Sequence, residues 1–497
     1  MSKKISKRKR NIIYIAFLLT LLVSTIYLVT HPMAPSFYDD DTSYEMLAHD
    51  ITIGVFYPSL GYYYDARIMQ IYPMALFYKF MGINFLSSAM WDIVSWFIMV
   101  ILSFYIGKEL YNEYVGYLAA LIMCVFPLMI YLSGTSKETI PMTLFTTIAF
   151  YSAMKGYFKD SSKWYFASGV SIIAAFLCDL LGVIIGPVIL LFLLILFINS
   201  RLKTKHNGPS IKSLHILSGV AFGIMLVLLY GYILAGNPYV IFQIDITYAT
   251  VPSFTNFSVI TPYYAILLPP FLDNLSGVNI GYIFYLFFIA VPYLLIKKVK
   301  ESYIPIFWSA FTLLYLWIGP MFITLNPFKY SIIPRGWQYL PIVAVPVALT
   351  IGIFIVKLGE TFRKHKPVAW FLVGAIVIFI VYSSVSLDIA SYYGYKMQMS
   401  PIYYLSQYLN LLPNTTTIYL PLQLPNIEVY MNFDNVSRFI YYNQNISSCN
   451  ATMGYDYVVT TSYTGAFPVP CPYWKEINFS EGRYLPANYI KLYSNRR

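Results

Sequence analysis

The sequence predicts an α-helical polytopic membrane protein of about eleven transmembrane helices, followed by a small C-terminal extracytoplasmic domain that is mixed or β-rich. Three observations carry this. The chain is 58% apolar and 11% charged, with a mean hydropathy of +0.61, whereas a soluble domain averages about 25% charged residues. Apolar windows long enough to cross a bilayer recur from residue 11 to residue 387. Beyond residue 387 the pattern changes to short alternating stretches such as TTTIYLPLQL and YDYVVTTSY, separated by Pro, Asn and Gly. Soluble enzyme classes are thereby excluded. The net charge of +11 does not point to nucleic acid, because the basic residues are spread over short loops.

The opening MSKKISKRKR precedes an apolar run from Asn11 to Thr30. A cleaved signal peptide has a shorter apolar core and a small-residue cleavage site, and Thr30-His31-Pro32 does not supply one. This run is therefore read as a retained first span with its amino end in the cytosol. Further spans fall at 88–107, 116–133, 139–155, 164–180, 182–199, 213–235, 280–296, 303–323, 338–356 and 368–387. Residues 68–86, IMQIYPMALFYKFMGINFL, are also apolar, but Pro73 and Lys79 interrupt them. They are placed as a helix lying in the outer interface. The chain thus divides into a transmembrane unit, 1–387, with a first outer loop at 31–87, and a second unit, 388–497.

Two patterns support this sidedness. The predicted cytosolic segments hold 21 of the 33 Lys and Arg residues, Lys155 included, as the positive-inside bias requires. Asn-x-Ser/Thr acceptors at Asn256, Asn274, Asn414, Asn435, Asn445, Asn450 and Asn478 all fall in segments placed outside. Cys449 and Cys471 lie in the C-terminal unit and can form one disulfide if it is outside the cytosol, while Cys124 and Cys178 lie in apolar spans and read as packing residues.

The chemistry gathers on the outer side. Residues 36–65 hold six of the chain's 22 acidic residues, among them the adjacent Asp39, Asp40 and Asp41. Adjacent carboxylates repel one another and resist desolvation, so their place beside a membrane helix suggests a task; the plain alternative is a solvated acidic loop. Lys137 and Glu138 lie in SGTSKET, at the tip of a helical hairpin, where the plain alternative is an exposed ion pair. Lys329 and Arg335 lie in NPFKYSIIPRGWQ amid apolar sequence. A cation at the lip of a span suits a lipid-linked phosphate; otherwise it snorkels and binds nothing.

Asp40-Asp41-x-x-Tyr44-x-x-x-Ala48 resembles the D-[DE]-x-x-Y-x-x-x-A signature that follows the first span of GT-C glycosyltransferases, the polyprenyl-phosphate-sugar enzymes that include protein O-mannosyltransferases and lipid A aminoarabinose transferases. Gly54 and Tyr57-Pro58 follow at matching distances. Pro73, Leu76 and Gly82 resemble the P-P-L…G of the interfacial helix, Ser133 to Thr139 resembles the second outer loop with its acid at Glu138, and RGWQYLPIVAVP, with Arg335 and Tyr339, resembles the Arg-Tyr-Pro-Pro segment of a late span. The resemblance covers about the first 155 residues and the late spans. Tyr72 precedes a single Pro73, which leaves the family's phosphate-binding cation to Arg67 or Lys79. The WWDYG-type signature of oligosaccharyltransferases is absent, and the tail resembles no named family.

The resemblance implies an inverting membrane glycosyltransferase of GT-C type. Its donor would be a polyprenyl (dolichyl) phosphate sugar, and its acceptor a protein, glycan or lipid on the extracytoplasmic side. Asp40 would be the general base, with Asp41 and Glu138 orienting it or the acceptor. Tyr44, Arg67, Lys79, Lys137, Lys329, Arg335 and Tyr339 would line the substrates. No cofactor is required, although three carboxylates are compatible with a divalent cation. The rivals are an oligosaccharyltransferase-like transfer of a lipid-linked glycan to Asn, a lipid or sugar transporter, and a silent relative whose outer domain binds a partner. The tyrosine-, isoleucine- and sequon-rich sequence leans towards an archaeal cell membrane; in a eukaryote the compartment would be the ER.

Overall fold

The computed structural model describes residues 7–33, 40–60, 62–202, 209–250, 282–325, 328–332, 337–362, 365–421, 426–431, 433, 436–442, 456–461, 475–478 and 490–494. Each of the eleven segments expected to span the membrane contains a helix. Among the described residues, five helices are long and apolar enough to cross a bilayer, and a bent pair has the length and composition of a sixth. The protein is a multi-pass integral membrane protein.

Helix α1 (Lys7–Thr30) packs on α4 (Phe85–Leu110) and α5 (Glu113–Cys124). A capping box starts α4: Ser87 N donates to Asn84 Oδ1 at 2.9 Å and Asn84 N donates to Ser87 Oγ at 3.0 Å. The expected span at 116–133 is broken. Helix α5 ends at Cys124 and α6 (Pro127–Ser133) restarts at an angle of 55°, because Pro127 suits a first helical turn but not a helix interior. Helices α7 (Thr139–Lys159), α8 (Ser162–Phe176), α9 (Ile185–Leu202) and α10 (His215–Ala235) follow. At the α8–α10 crossing a Cβ on Gly169 would stand 2.1 Å from the Ile216 carbonyl oxygen, so only glycine permits this approach.

After α11 (Val240–Thr250) come α12 (Ile283–Ile296) and α13 (Tyr303–Ile318). The expected span 303–323 ends early, at Ile318. The chain then turns into a hairpin, β1 (Pro320–Leu325) against β2 (Phe328–Ile332), antiparallel with Leu325 opposite Phe328. β-Branched and aromatic residues dominate these strands, and an apolar run of that composition reads equally as helix or strand. Helix α14 (Ala344–Thr361) is the bundle's centre, with every residue from Ala344 to Ile355 buried.

Helix α15 runs unbroken from Lys366 to Asn410, straight through residue 387. Its far end presents Ile402, Leu405 and Leu409 to a second apolar core with Ile418, Leu420, Val459 and Leu492. That core lies under a mixed five-stranded sheet of order β4-β3-β5-β7-β6, built from β3 (Ile418–Pro421), β4 (Phe439–Tyr442), β5 (Tyr457–Thr461), β6 (Lys475–Asn478) and β7 (Ile490–Ser494). β3 is parallel to β4 and β5, and the other pairings are antiparallel. A short helix, α16 (Asn426–Tyr430), leans from this unit onto α2 (Asp40–Ile53).

Candidate active site

The acidic stretch folds as a helix rather than a solvated loop. Helix α2 (Asp40–Ile53) opens with Asp40 and Asp41 in its first turn, where the helix dipole favours negative charge. Tyr44, Leu47 and Ala48 form one buried stripe. It packs on Ile71, Met74, Ala75 and Tyr78 of α3 (Ile68–Met81). Gly54, at φ +79°, ends α2: Gly54 N donates to the Ile51 carbonyl and Val55 N to the Asp50 carbonyl, the paired bonds of a Schellman motif.

Helix α3 is the expected interfacial helix, but it stops at Met81 rather than residue 86. Gly82 adopts φ +74° and Asn84 caps α4. Pro73 sits inside α3 and has no N–H to give the Met69 carbonyl. The Trp91 indole of α4 donates to that carbonyl instead, at 2.9 Å.

Around α2 the candidate residues converge. Tyr64 donates its hydroxyl to Asp40 Oδ1 at 2.7 Å, and its ring stands edge-on to buried Tyr44 at 5.4 Å. Ser136 Oγ donates to Glu45 Oε1 at 2.6 Å, and Gln70 Nε2 donates to the Ser136 carbonyl at 3.0 Å. These bonds pull the loop before α7 down onto α2 and α3. Lys137 and Glu138 are consequently buried, at 4% and 3% exposure, and not an exposed ion pair. Burial pushes the Glu138 carboxyl well above the usual range; the Asp40 and Asp179 charges push the same way, and Lys137 opposes them. Burial likewise holds Glu45 up at about 8, against the Ser136 hydroxyl, with Asp41 adding to the rise. Asp41 is buried too. Tyr339 opens the last central span within electrostatic reach of Asp179, Glu138 and Asp40.

The cations separate. Arg67 is fully buried beside this cluster. Its guanidinium lies 4.0 Å above the Tyr63 ring, donates to the Phe176 carbonyl at 3.2 Å, and pairs with Asp245 of α11. Its Nε and the second Asp245 oxygen are buried without a hydrogen-bond partner, a cost of about 1–3 kcal/mol for such a group. Lys79 is exposed on α3, so of the two substitutes for the family's cation the structure brings only Arg67 to the acids. Lys329 lies on β2, and its side chain, like Asp39, Arg335, Cys449 and Cys471, lies outside the described residues. Among the described residues, no three His, Cys, Asp or Glu side chains are grouped so as to hold a metal ion.

Several contributors were not singled out from sequence. Asp179 caps the 3-10 turn Leu180–Ile184, accepting from Leu181 N at 2.7 Å, and reads in sequence as a lone acid at a span end. Asp245 meets Arg67 across 178 positions. The second unit also reaches the acids. Tyr430 packs edge-on to Phe85 at 5.3 Å, near Asp41 and Glu45, and Phe433 stacks on His49 at 4.0 Å.

This helical scaffold has known counterparts. ArnT from Cupriavidus metallidurans in its apo state superposes with a TM-score of 0.59 over 97% of this chain and 98% of that one, at 11% identity. The oligosaccharyltransferase of Archaeoglobus fulgidus superposes with a TM-score of 0.55 over 90% of this chain and 69% of that one, at 13% identity. The chain has the GT-C fold. ArnT bound to undecaprenyl phosphate shares it with a TM-score of 0.56, at 11% identity over 97% of this chain and 98% of that one. Residues 65–225 of the GT-C chain match the family of dolichyl-phosphate-mannose-protein mannosyltransferases. That match includes Arg67, Lys137, Glu138 and Asp179 and begins after the acids of α2. No curated protein sequence matches the chain.

Proposed function

We propose that this GT-C chain is an inverting membrane glycosyltransferase that moves a sugar from a polyprenyl (dolichyl) phosphate to an acceptor hydroxyl on the extracytoplasmic side. The observation that carries it is the convergence of Asp40, Glu138, Tyr44 and Arg67 at one end of a GT-C bundle. The supporting likeness is the family match over residues 65–225.

Asp40 stands at the start of α2 with one oxygen held by Tyr64. It takes the proton of the acceptor hydroxyl as that oxygen attacks the anomeric carbon. The new bond is carbon–oxygen to the acceptor. The bond that breaks joins the anomeric carbon to the carrier's phosphate oxygen, which leaves with the electron pair. A single displacement inverts the anomeric centre. Glu138 and Asp41 fix the field around the base, and Tyr44 and Tyr339 wall the site. Arg67 is the phosphate-facing cation we favour, aided by Lys137, with Lys329 and Arg335, which precede Tyr339 in sequence, as further phosphate ligands. The positive-inside bias supports a cytosolic amino terminus and an extracytoplasmic sheet domain. The chemistry as written needs no cofactor, and chelation reads out any divalent-cation dependence.

Radiolabelled polyprenyl-phosphate sugar supplied to membranes carrying wild type or Asp40→Asn tests the reading. Transfer falls in the variant; equal transfer by both removes Asp40 as the base. A second reading, transfer of a lipid-linked glycan to Asn, is favoured by the likeness to the Archaeoglobus fold. Asn-sequon peptides and hydroxyl acceptors, offered in the same assay, separate the two.

A further inference from the structure

The loop between α2 and α3 and the Met46, Leu47 and Asp50 side of α2 form an open cavity of about 340 Å3. Pockets for small organic ligands start at about 300 Å3. Phe56, Tyr57 and Tyr62 supply aromatic wall, and Asp50 and Asp65 supply its two carboxylates. Among the described residues no Lys, Arg or His lines it.

The wall is built rather than fortuitous. Asp65 sits in the 3-10 turn Tyr63–Ala66 and is 3% exposed, yet it lines the cavity. Ser59 N donates to its Oδ2 at 2.7 Å and fixes the carboxyl. Tyr57, in contrast, is 62% exposed at the mouth. The cavity also communicates with the proposed base. Tyr62 stands edge-on to Tyr64 at 5.1 Å, and Tyr64 holds Asp40. Tyr62 also lies within electrostatic reach of Asp40, so the cavity adjoins the proposed base, and a saccharide seated there would have to extend a hydroxyl past these rings to hydrogen-bond distance of Asp40.

We propose that this cavity is the acceptor subsite and that its occupant is a saccharide. This rests on the glycosyl-transfer reading above. Ring faces pack against the C–H faces of a sugar, and carboxylates accept its hydroxyl protons. Two carboxylates in the wall disfavour an anionic acceptor such as a phosphorylated sugar, and the one imidazole beside them, His49, already faces Asp50 at 3.7 Å. Burial lifts the Asp65 carboxyl to about 6, the Ser59 amide opposing and Asp50 adding to the rise, so near neutral pH it is mostly ionised and accepts hydrogen bonds from the hydroxyls of a ligand.

Two measurements on the full-length protein in lipid nanodiscs test it. Saturation-transfer NMR with methyl glycosides, and separately with Ser/Thr and Lys-containing peptides, reports binding without any donor. Methyl glycosides give the signal in wild type and in Tyr57→Phe, and lose at least about fivefold of it in Tyr57→Ala and Asp65→Asn. Signal from peptides alone, or a glycoside signal the variants keep, overturns the proposal. With radiolabelled donor, Asp65→Asn raises the saccharide KM at least about tenfold and leaves kcat within about threefold; a loss confined to kcat overturns it. Thermal unfolding midpoints within a few degrees of wild type separate these effects from misfolding. If wild type consumes no donor yet binds glycosides through Tyr57 and Asp65, the transfer reading fails while the saccharide site stands.

Discussion

Tyr64 gives its hydroxyl proton to Asp40 Oδ1 at 2.7 Å, joining a 3-10 turn to the first residue of the acidic helix α2. The bond occupies one carboxylate oxygen and fixes the orientation of the other. Asp40→Asn should reduce transfer about 100- to 10,000-fold, the contribution of a positioned base. Tyr64→Phe leaves the base and removes its anchor, so transfer should fall roughly tenfold to a hundredfold, the loss expected of one hydrogen bond to a charged group. Initial rates with a radiolabelled donor measure both, and a Tyr64→Phe variant as slow as Asp40→Asn would contradict the division of labour.

Arg67 and Asp245 form an ion pair whose side chains are 0% and 6% exposed. Removing one member strands a buried charge. Asp245→Ala should cost about 3–5 kcal/mol of stability, seen as a lowered unfolding midpoint in detergent. The double variant Arg67→Met/Asp245→Leu should regain most of that stability and remain inactive, because packing is restored without the cation. Recovery of transfer in the double variant would exclude Arg67 from phosphate binding.

Glu45 sets a pH dependence of stability. Burial raises its carboxyl to about 8 in the folded protein, from about 4.3 in an unfolded chain. Between these values the folded state binds the proton that the unfolded state has released. Its contribution is therefore complete at low pH and is lost as pH rises through about 8. In Glu45→Gln the fall in unfolding midpoint from pH 5 to pH 8 should be shallower than in wild type. Identical slopes would assign the dependence to other groups.

Trp91 covers for a proline. Trp91→Phe leaves the Met69 carbonyl without the donor that Pro73 cannot supply, at about 1–3 kcal/mol. In a Pro73→Ala background the helix supplies its own N–H, so the same substitution should cost less than half as much. A double-mutant cycle by chemical denaturation checks the coupling; additive costs would show that the two residues are unrelated.

Much of this was legible in the sequence, for physical reasons. Asp40, Asp41 and Tyr44 stand out because carboxylates are costly beside a membrane helix and because Asp40, Tyr44 and Ala48 recur at the four-residue spacing of one helix face. The spans follow from hydropathy, and the mixed sheet from alternation within 388–497, although residues 388–410 continue a helix. What escaped notice depends on distance or ambiguity. Asp245 finds Arg67 only after eight intervening α-helices have folded. Asp179 is indistinguishable in sequence from a helix-end cap until Glu138 is seen beside it. The hairpin at 320–332 has the composition of a buried helix. Lys79 and Arg67 are equal candidates on paper, and only burial separates them.

Helix α15 spans 45 residues, about 68 Å at roughly 1.5 Å per residue, more than twice the thickness of a bilayer's hydrocarbon layer, about 30 Å. It is a lever with one arm in lipid and the other beneath the sheet whose neighbours Tyr430 and Phe433 rest on α2. Because this helix is unbroken from Lys366 to Asn410, a single rigid element joins the apolar stretch Phe371–Ile389 to the roof over Asp41 and Glu45.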